Sequence, residues 1–368
     1  MKKFLTFKFC IKPTEKQKEN FQFTFECITI VHNKYIEDIE KGIDNRKNIK
    51  NILREYTNEH LVLNTANSSA LMNKLFQLNE AKVYRKAEKT INSFTISNLH
   101  EIYSVYIFDN KKYIHLGRFG NIEIVCHRDV PKNCEIIKAT IKKNQLDKYY
   151  VTLLTTYEFS PEERLLDIDK SIGLDYSSPH FYVDNYGNKA DKPRSFEKVD
   201  KHIAKLNKDL NNCKKGGKNY KKIKKKIAKL YIRAINQRND YLHKESTRLS
   251  NEFDIVCIED LELETIVKNY NLAKRTYDNS YGRFVYFLDY KLAKQNKCLV
   301  KVDRLYPSSK TCSVCGYVNR NLTIDIRQWQ CPDCGTVHDR DVNAAINIRK
   351  KGLEKIQFRR VSGICLRK

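Results

Sequence analysis

Two Cys-x-x-Cys pairs near the C-terminus constrain this chain more than any other feature. The first pair is Cys312 and Cys315, the second is Cys331 and Cys334, and 15 residues separate the two pairs. This spacing is typical of one tetrahedral zinc ion held by four thiolates. Because four protein ligands leave no open coordination position, the pairs predict a structural zinc ribbon and not a catalytic zinc centre.

Eight further cysteines are scattered along the chain, and several of them lie inside apolar runs. Reduced thiols in a protein core show this pattern, whereas a disulfide scaffold concentrates its cysteines in a short secreted chain. We therefore expect cysteines without disulfide bonds outside the ribbon. They are Cys10, Cys27, Cys126, Cys134, Cys213, Cys257, Cys298 and Cys365.

Polar and aromatic side chains surround the predicted ribbon. His338 follows the second cysteine pair closely enough to be a spare ligand, but we place it outside the zinc site because four thiolates complete the coordination. Arg320 and Arg327 could contact a nucleic-acid backbone. Trp329 could stack on a base or simply shield the metal.

The composition of the chain is strongly basic. Its 368 residues carry 69 Lys and Arg against 44 Asp and Glu, which gives a formal net charge of +25. Neutralising phosphates releases counterions, so nucleic acid is the expected partner. A membrane surface is the alternative, but no run approaches the ~18 apolar residues of a spanning helix and no signal-peptide core follows Met1. We expect a soluble cytoplasmic protein without a membrane partner.

Much of the positive charge is concentrated in one segment. Residues 201–250 carry 16 Lys or Arg against three Asp or Glu. Apolar residues at helical spacing on both sides of Gly216 and Gly217 predict a helical hairpin over 196–250 with basic outer faces. An ordinary solvated face interleaves acids with its lysines, so this imbalance favours phosphate contact over simple solvation. The residues expected to bind nucleic acid are Lys214, Lys215, Lys218, Lys221, Lys222, Lys225 and Arg340.

Three acids stand at the ends of apolar elements. Asp175 and Glu259 each close a strand-like run, and Asp341 precedes a helix predicted over Val342–Lys351. If the two strands are parallel neighbours, the first two acids lie side by side at the edge where α/β proteins usually carry their chemistry. Carboxylates are the ligands that Mg²⁺ prefers, and two such ions can activate water and stabilise the leaving oxygen of a phosphodiester. The acids therefore indicate a nuclease.

Each of these acids also has an ordinary structural explanation. A carboxylate can cap a strand, form a surface ion pair or accept hydrogen bonds at a helix N-terminus. Asp339 is the main rival of Asp341 as the third ligand, and Asp184 and Asp260 are weaker rivals. The joint position of the three acids at element ends favours the metal site.

The pattern of elements predicts more than one domain of mixed α and β structure. Residues 4–11 alternate as a strand does, Thr14 with Gln17 offers a capping box, and helical spacing continues to about residue 89. Strand-like runs separated by turn residues follow up to about residue 159, which predicts a small β barrel with an inserted helical lobe. A second unit follows with a buried strand over 172–175. Residues 180–184 pair either with that strand or, across the turn Asn185–Asn188, with the segment that follows.

Three motifs carry a resemblance to a known family. They are Gly173-Leu-Asp175, Cys257-Ile-Glu259-Asp-Leu261 and Asp339-Arg-Asp341-Val-Asn-Ala-Ala345, with the ribbon segments 302–316 and 329–335 between the second and the third. On these residues the chain resembles the TnpB (OrfB) family, transposon-encoded proteins related to the type V CRISPR effectors. The similarity runs over nearly the whole chain and is most specific from Gly173 to Gly352.

The resemblance implies an α/β multidomain fold. A RuvC-like nuclease domain of RNase H-like fold carries the inserted zinc ribbon, and an N-terminal wedge β barrel carries an inserted helical recognition lobe. The implied boundaries are 1–13 and 96–165 for the wedge barrel, 14–95 for the helical lobe, 166–302 and 339–352 for the nuclease domain, 303–338 for the ribbon as a target-strand-loading module, and 353–368 for a basic tail.

The resemblance also implies the activity, an RNA-guided DNA endonuclease of a prokaryotic transposon that is associated with the nucleoid. A guide RNA from the transposon end pairs with the double-stranded target DNA, the protein reads a short adjacent motif, and the RuvC-like site cuts both strands. Asp175, Glu259 and Asp341 are the implied catalytic ligands of two Mg²⁺ ions, and the four ribbon cysteines are the implied ligands of one structural Zn²⁺. The companion transposase is a further candidate partner.

One residue departs from the family pattern, and two other functions stay open. Many members have Gly two places after the first acid, where this chain has Ser177, so we expect a differently shaped loop. A guided DNA-binding regulator without cleavage would be expected to lose an acid, whereas all three are present. A guide-free, structure-selective RuvC-type nuclease would leave the first 160 residues without an evident role. Direct transposition has less support, because nothing here resembles the His and Tyr chemistry of single-strand transposases.

Overall fold

The computed structural model describes residues 2–43, 48–64, 67–80, 85–97, 106–108, 111–127, 129–131, 134–158, 166–177, 179–261, 280–323 and 325–361. These residues belong to two compact units, Met1–Ser160 and Pro161–Lys368. Each unit has its own hydrophobic core. None of the helices in the described ranges combines a membrane-spanning length with a sufficiently apolar sequence.

The helices of the first unit follow its first strand. Thr14 and Gln17 form the predicted capping box, in which each side chain accepts a hydrogen bond from the backbone N–H of the other. Gln17 Nε2 also donates to the carbonyls of Phe119 and Asn121, at 2.8 and 2.9 Å, and so anchors the helix start to the sheet. The helices are α1 (Glu15–Glu40), α2 (Ile49–Glu59), α3 (Leu61–Asn64) and α4 (Ser68–Glu80).

Seven strands form the sheet of the first unit, and all of their pairings are antiparallel. The strand order is β2-β6-β7-β1-β5-β4-β3, and α1 to α4 lie between β1 and β2 in the chain, as the predicted helical insertion requires. Within the predicted barrel, residues 98–105, 109–110, 128, 132–133 and 159–165 lie outside the described residues. The strands are β1 (Lys2–Lys12), β2 (Ser93–Ile96), β3 (Tyr106–Phe108), β4 (Lys111–His115), β5 (Asn121–Val125), β6 (Glu135–Lys143) and β7 (Tyr149–Glu158).

A five-stranded mixed sheet forms the centre of the second unit. Its order is β10-β9-β8-β11-β12, with β8 to β10 antiparallel and with β11 parallel to both β8 and β12. The predicted hairpin is confirmed, since β9 pairs with β8 and, across the turn, with β10. The strands are β8 (Ser171–Tyr176), β9 (Tyr182–Asp184), β10 (Lys189–Ala190), β11 (Ile255–Glu259) and β12 (Cys298–Val302).

Helices cover both faces of this sheet, which explains why β8 and β11 are apolar at successive positions. Ile172 and Val256 belong to the core beneath α6 and α7, whereas Ile255 and Val300 belong to the core beneath α8. Gly216, at a φ of +85°, turns the chain between α5 and α6 and confirms the predicted helical hairpin. The helices are α5 (Glu197–Asn211), α6 (Lys218–Glu252), α7 (Tyr281–Lys294) and α8 (Arg340–Val361).

Two glycines let α8 lie directly against the sheet. A Cβ on Gly173 of β8 would lie 2.2 Å from the carbonyl oxygen of Ala345, and a Cβ on Gly352 of α8 would lie 2.3 Å from Cys257 Sγ. This close approach brings the start of α8 over the ends of β8 and β11. The helix runs from Arg340 to Val361 and is therefore longer than the predicted Val342–Lys351. It includes part of the segment 353–368 that was expected to be a basic tail. Residues 362–368 of that tail lie outside the description.

The ribbon lies between β12 and α8. It contains a two-stranded antiparallel sheet of β13 (Gln328–Gln330) and β14 (Val337–Asp339), and β14 runs directly into α8. Its small core consists of Cys312, Leu322, Trp329 and Cys331. Two of these four residues, Cys312 and Cys331, belong to the predicted zinc site, so the ribbon has little apolar core besides that site.

The described cysteines outside the ribbon are free thiols, as the sequence predicts. Cys27 and Cys257 are buried, and burial raises the pKa of Cys27 to about 11 and the pKa of Cys257 to about 12. Both are therefore neutral at physiological pH. Cys365 lies outside the described residues.

Candidate active site

Asp175 and Glu259 lie next to each other at the ends of two parallel strands. Strands β8 and β11 pair in parallel up to the residues that immediately precede these acids. Gly173 and Cys257, two residues earlier on each strand, both face α8. Because side chains two apart on a strand share a face, both carboxylates also point towards the α8 side of the sheet.

Asp341 completes the group from the first turn of α8. Its carboxylate accepts a hydrogen bond from Ser177 Oγ at 3.4 Å and pairs with Arg327 at 3.3 Å. Ser177, the residue that departs from the family pattern, is buried, so its hydroxyl occupies the space between the end of β8 and the third acid. The structure thus brings all three predicted acids together from three separate elements.

The three carboxylates repel one another. Burial, and then the negative charges of Glu259 and Asp341, raise the pKa of Asp175 well above its ordinary value of 3.8. Two arginines, Arg340 and Arg327, act in the opposite direction. A cluster that holds acids together against their own repulsion fits a divalent cation, whose charge would remove the repulsion.

The rival acids have structural partners outside this cluster. Asp339 Oδ1 accepts from two backbone N–H groups at the start of α8, at 3.0 and 3.2 Å, and its other oxygen pairs with Lys189 at 3.4 Å. Asp184 closes the β9–β10 turn by accepting from two backbone N–H groups at 2.9 Å. Asp260 forms an exposed ion pair with Lys301 at 3.0 Å. These contacts explain the three acids as a helix cap, a turn and a surface pair.

The four ribbon cysteines converge on one point. Their Sγ atoms all lie within 4.8 Å of one another, and the Cys312–Cys334 and Cys315–Cys331 separations are both 3.6 Å. Tetrahedral zinc with Zn–S bonds of about 2.3 Å separates its sulfur atoms by about 3.8 Å. The cysteine group therefore fits one zinc ion with a complete set of protein ligands.

His338 and Trp329 support the cysteine group from outside it. His338 Nε2 lies 3.1 Å from Cys312 Sγ, and burial lowers the pKa of this imidazole, so its neutral ring can donate to a metal-bound thiolate. The Trp329 ring is buried and packs on His338 with ring centroids 4.9 Å apart. The shielding interpretation of Trp329 is therefore favoured over base stacking, and His338 lies outside the four-cysteine group, as predicted.

The basic residues form two surfaces in the second unit. The six hairpin lysines, Lys214, Lys215, Lys218, Lys221, Lys222 and Lys225, are all exposed. A separate cavity of about 420 Å³ on the ribbon is lined by Lys310, Arg320 and Arg340 without any acid. Arg340 also lies close enough to Asp175 to lower the pKa of that carboxyl. Arg340 thus belongs to the lining of the basic cavity and also acts on the acidic cluster through its charge.

Sequence reasoning does not anticipate four side chains around these sites. Tyr281, at the start of α7, is buried, and the charges of Asp175 and Glu259 help to raise the pKa of its phenol. Ser308 contacts Glu259, and Asn343 and Asn347 of α8 contact the ribbon. The asparagines leave one signal, since two polar residues spaced by four stand among the apolar positions of α8. The contacts of Tyr281 and Ser308 join distant parts of the chain, and no sequence signal predicts them.

Comparison with known proteins shows the family of this chain. A family model described as "Probable transposase" matches residues 155–270, and one described as "Cas12f1-like, TNB domain" matches 281–348. A third, described as "Helix-turn-helix domain", matches 1–48, a range that contains β1 and α1. A putative RNA-guided DNA endonuclease of Streptomyces pristinaespiralis is 30% identical over 366 residues, covering 94% of this chain and 89% of that protein. The chain belongs to the TnpB family.

Two further matches extend the comparison of this TnpB family member. The putative RNA-guided DNA endonuclease InsQ of Escherichia coli strain K12 is 25% identical over 232 residues, which cover 59% of this chain and 57% of that protein. The cryo-EM structure of a Cas12f1–sgRNA–target DNA complex superposes with a TM-score of 0.56 at 14% identity, over 91% of this chain and 83% of that chain. At this identity the superposition shows a shared fold.

Proposed function

We propose that this TnpB family member is an RNA-guided DNA endonuclease that hydrolyses phosphodiester bonds of guide-matched DNA beside a short adjacent motif. The observation that carries the proposal is the meeting of Asp175, Glu259 and Asp341 at one edge of the sheet. The names of the relatives from Streptomyces and Escherichia support the same activity. The four-cysteine group supports one structural Zn²⁺ beside that edge.

Asp175, Glu259 and Asp341 would hold two Mg²⁺ ions. When bound, the ions supply an activated water and stabilise the leaving oxygen of the phosphodiester. The protein contributes the geometry. Gly173 lets α8 approach so that Asp341 reaches the strand ends, and Ser177 and Arg327 orient the Asp341 carboxylate. The raised pKa of Asp175 belongs to the metal-free site, where no cation offsets the neighbouring charges.

The fold supports a RuvC-like domain of RNase H-like fold. We assign it residues 166–302 and 339–352, with the ribbon at 303–338 as a target-strand-loading module. In the first unit, β1 and the strands from β2 to β7 would form the wedge barrel and α1 to α4 the helical recognition lobe. The boundary expected between residues 95 and 96 shifts to before β2, because Ser93–Ile96 pairs with β6. The superposition with the Cas12f1 structure and the chain order of strands and helices support this division.

The exposed lysines of the α5–α6 hairpin would contact the guide RNA and DNA through their phosphates. Repelling lysines on one helix need external negative charge, and a protein that delegates sequence recognition to base pairing needs mainly backbone contacts. The ribbon cavity at Lys310, Arg320 and Arg340 would hold a phosphate of the strand that enters the acidic site. Its position beside Asp341 supports this path.

A cleavage assay with a randomised plasmid library tests the function. The protein is co-expressed with the RNA of its own transposon end, the complex is purified, and plasmids with a guide match beside random sequence are supplied with Mg²⁺. We expect cutting only of guide-matched plasmids, dependent on the RNA, and enrichment of one adjacent motif among the cut molecules. Guide-dependent binding without cutting would instead establish the regulator. Cutting of branched DNA without RNA would establish a structure-selective nuclease.

A further inference from the structure

One loop touches both the acidic cluster and the zinc group. Residues 307–312 follow β12 after four intervening residues, pass Glu259 and end at Cys312, the first of the four cysteines. The loop is compact, because the N–H groups of Lys310 and Thr311 both donate to the carbonyl of Pro307 at 3.0 Å. Its conformation therefore bears on two sites that the sequence presents as independent.

Ser308 is the point of contact with the acidic cluster. Its side chain is only 5% exposed, and its hydroxyl donates to Glu259 Oε1 at 3.3 Å. Burial raises the pKa of Glu259, and the hydrogen bond from Ser308 opposes that shift by favouring the charged carboxylate. The hydrogen bond from Ser308 involves Oε1 of the carboxylate and not Oε2. It thus selects one orientation of an acid that we assign to metal binding.

Two buried asparagines of α8 hold the same loop from the other side. Asn347 Nδ2 donates to the carbonyls of Ser308 at 2.8 Å and Thr311 at 2.6 Å. Asn343 Nδ2 donates to Thr311 at 2.7 Å, and its Oδ1 accepts from the N–H of Ser313 at 2.9 Å. Both amides are almost inaccessible, so their bonds do not compete with bulk water.

We propose that Ser308 is a positioning residue for Glu259, and that the four-cysteine group and the asparagine pair of α8 hold the Ser308 loop in place. The ribbon then contributes to the nuclease site, because its first turn sets the orientation of the metal ligand Glu259. The proposal rests on the proposed function, since it takes Glu259 to be a ligand of the catalytic metal. Ser308 itself touches neither substrate nor reacting atoms.

The expected consequence is a change in metal affinity. Outer partners that orient a metal ligand typically contribute about 10–100-fold to metal affinity or activity. Removing the Ser308 hydroxyl lets the Glu259 carboxylate rotate and should weaken divalent-cation binding by about tenfold. Among the described residues the Ser308 hydroxyl forms its hydrogen bond with Glu259 and with no ribbon cysteine, so the variant should keep its zinc. A role limited to ribbon stability would show the opposite pattern, with zinc lost and no separate effect on the other cation.

Mn²⁺ binding by the full-length zinc-loaded protein measures this effect without any cleavage. Electron paramagnetic resonance reports free Mn²⁺ during titration of the parent, Ser308→Ala, Ser308→Thr and Ser309→Ala, with Glu259→Gln as the reference for loss of the ligand. Zinc content is measured on each sample. We expect Ser308→Ala to bind Mn²⁺ about tenfold more weakly. Ser308→Thr, which keeps a hydroxyl, and the neighbouring Ser309→Ala should bind as the parent does, all with one zinc per chain.

The outcomes separate the two proposals. If Glu259→Gln weakens Mn²⁺ binding and Ser308→Ala binds as tightly as the parent, the positioning role of Ser308 is wrong while the metal site stands. If Glu259→Gln itself binds Mn²⁺ as the parent does, the metal site of the proposed function is wrong. Loss of zinc from Ser308→Ala, or equal weakening in Ser308→Thr, would also overturn the positioning role, because the hydroxyl would not be the cause.

Discussion

Replacing Asp175 with asparagine is expected to abolish DNA cleavage and to raise the melting temperature of the metal-free protein. Metal-ion catalysis supplies several kcal/mol and about 1.4 kcal/mol corresponds to a factor of ten, so the single-turnover rate should fall by roughly a thousandfold or more. Without metal, burial and then the repulsion from Glu259 and Asp341 disfavour the charged form of the same carboxylate. An uncharged amide of similar shape removes that repulsion and should stabilise the fold.

The stability effect of Asp175→Asn has a defined pH dependence. Because the folded-state pKa of Asp175 is raised from 3.8, the folded protein keeps the proton at pH values where the unfolded chain has lost it. The carboxylate therefore destabilises the metal-free fold increasingly as the pH rises above 3.8. Below that pH both the folded and the unfolded chain hold the proton, and the destabilisation disappears. The gain in melting temperature, roughly 2–4 °C per kcal/mol, should be largest at neutral pH and should shrink on acidification. Thermal melts in EDTA measure it.

Asp260→Asn is the matched control for this variant. Asp260 follows Glu259 directly, is exposed and pairs with Lys301 at 3.0 Å. Loss of such a surface pair changes stability by no more than about 0.5 kcal/mol, so cleavage and melting temperature should stay near those of the parent. Normal cutting by Asp175→Asn, or a loss of cutting in Asp260→Asn, would contradict the assignment of the acids.

Cys331→Ser is expected to remove the zinc ion and to unfold the ribbon. The ribbon core holds only Cys312, Leu322, Trp329 and Cys331, so most of its folding free energy must come from the metal. Structural zinc contributes an apparent binding free energy of about 10–16 kcal/mol in small domains. Zinc content should fall from one per chain towards zero, and backbone amides in 303–338 should lose their protection from hydrogen exchange. Cleavage should be lost, because β14 of the ribbon leads into Asp341.

Cys213→Ser is the control for loss of a cysteine. Cys213 lies two residues beyond α5, far in sequence from the ribbon, and its thiol donates to the carbonyl of Asp209 at 3.3 Å. This variant should keep one zinc and normal exchange protection over 303–338. Stoichiometric zinc and full ribbon protection in Cys331→Ser would show that the cysteine group is not the zinc site. Exchange in the first unit should be unchanged in both variants, because that unit has its own core.

Local sequence patterns were sufficient to place much of the candidate site. The apolar runs before Asp175 and Glu259 predict buried strands, and their parallel pairing brings the two acids together. The cysteine spacing predicts a convergent group, and Gly216 with Gly217 predicts the helical hairpin. These predictions were possible because periodicity, turn chemistry and ligand spacing are encoded over short stretches of the chain.

The remaining features depend on packing between distant elements. The contact of Ser308 with Glu259 and the bonds of Asn347 to the ribbon loop join residues far apart in the chain, and no local pattern encodes them. The length of α8 also exceeds the prediction, since its C-terminal part has many charged residues and little apolar periodicity. The role of Gly173 also could not be predicted from the sequence, because only the position of α8 shows which atoms a side chain at residue 173 would meet.

Anomalous diffraction from crystals of the protein grown with Mn²⁺ tests the central claim most directly. Mn²⁺ scatters anomalously and takes oxygen ligands in the same kind of site as Mg²⁺. The account predicts Mn²⁺ between Asp175, Glu259 and Asp341, at about 2.1 Å from carboxylate oxygens, and a separate zinc peak within the four ribbon sulfurs. Mn²⁺ bound only elsewhere, at a concentration that supports DNA cleavage, would contradict it.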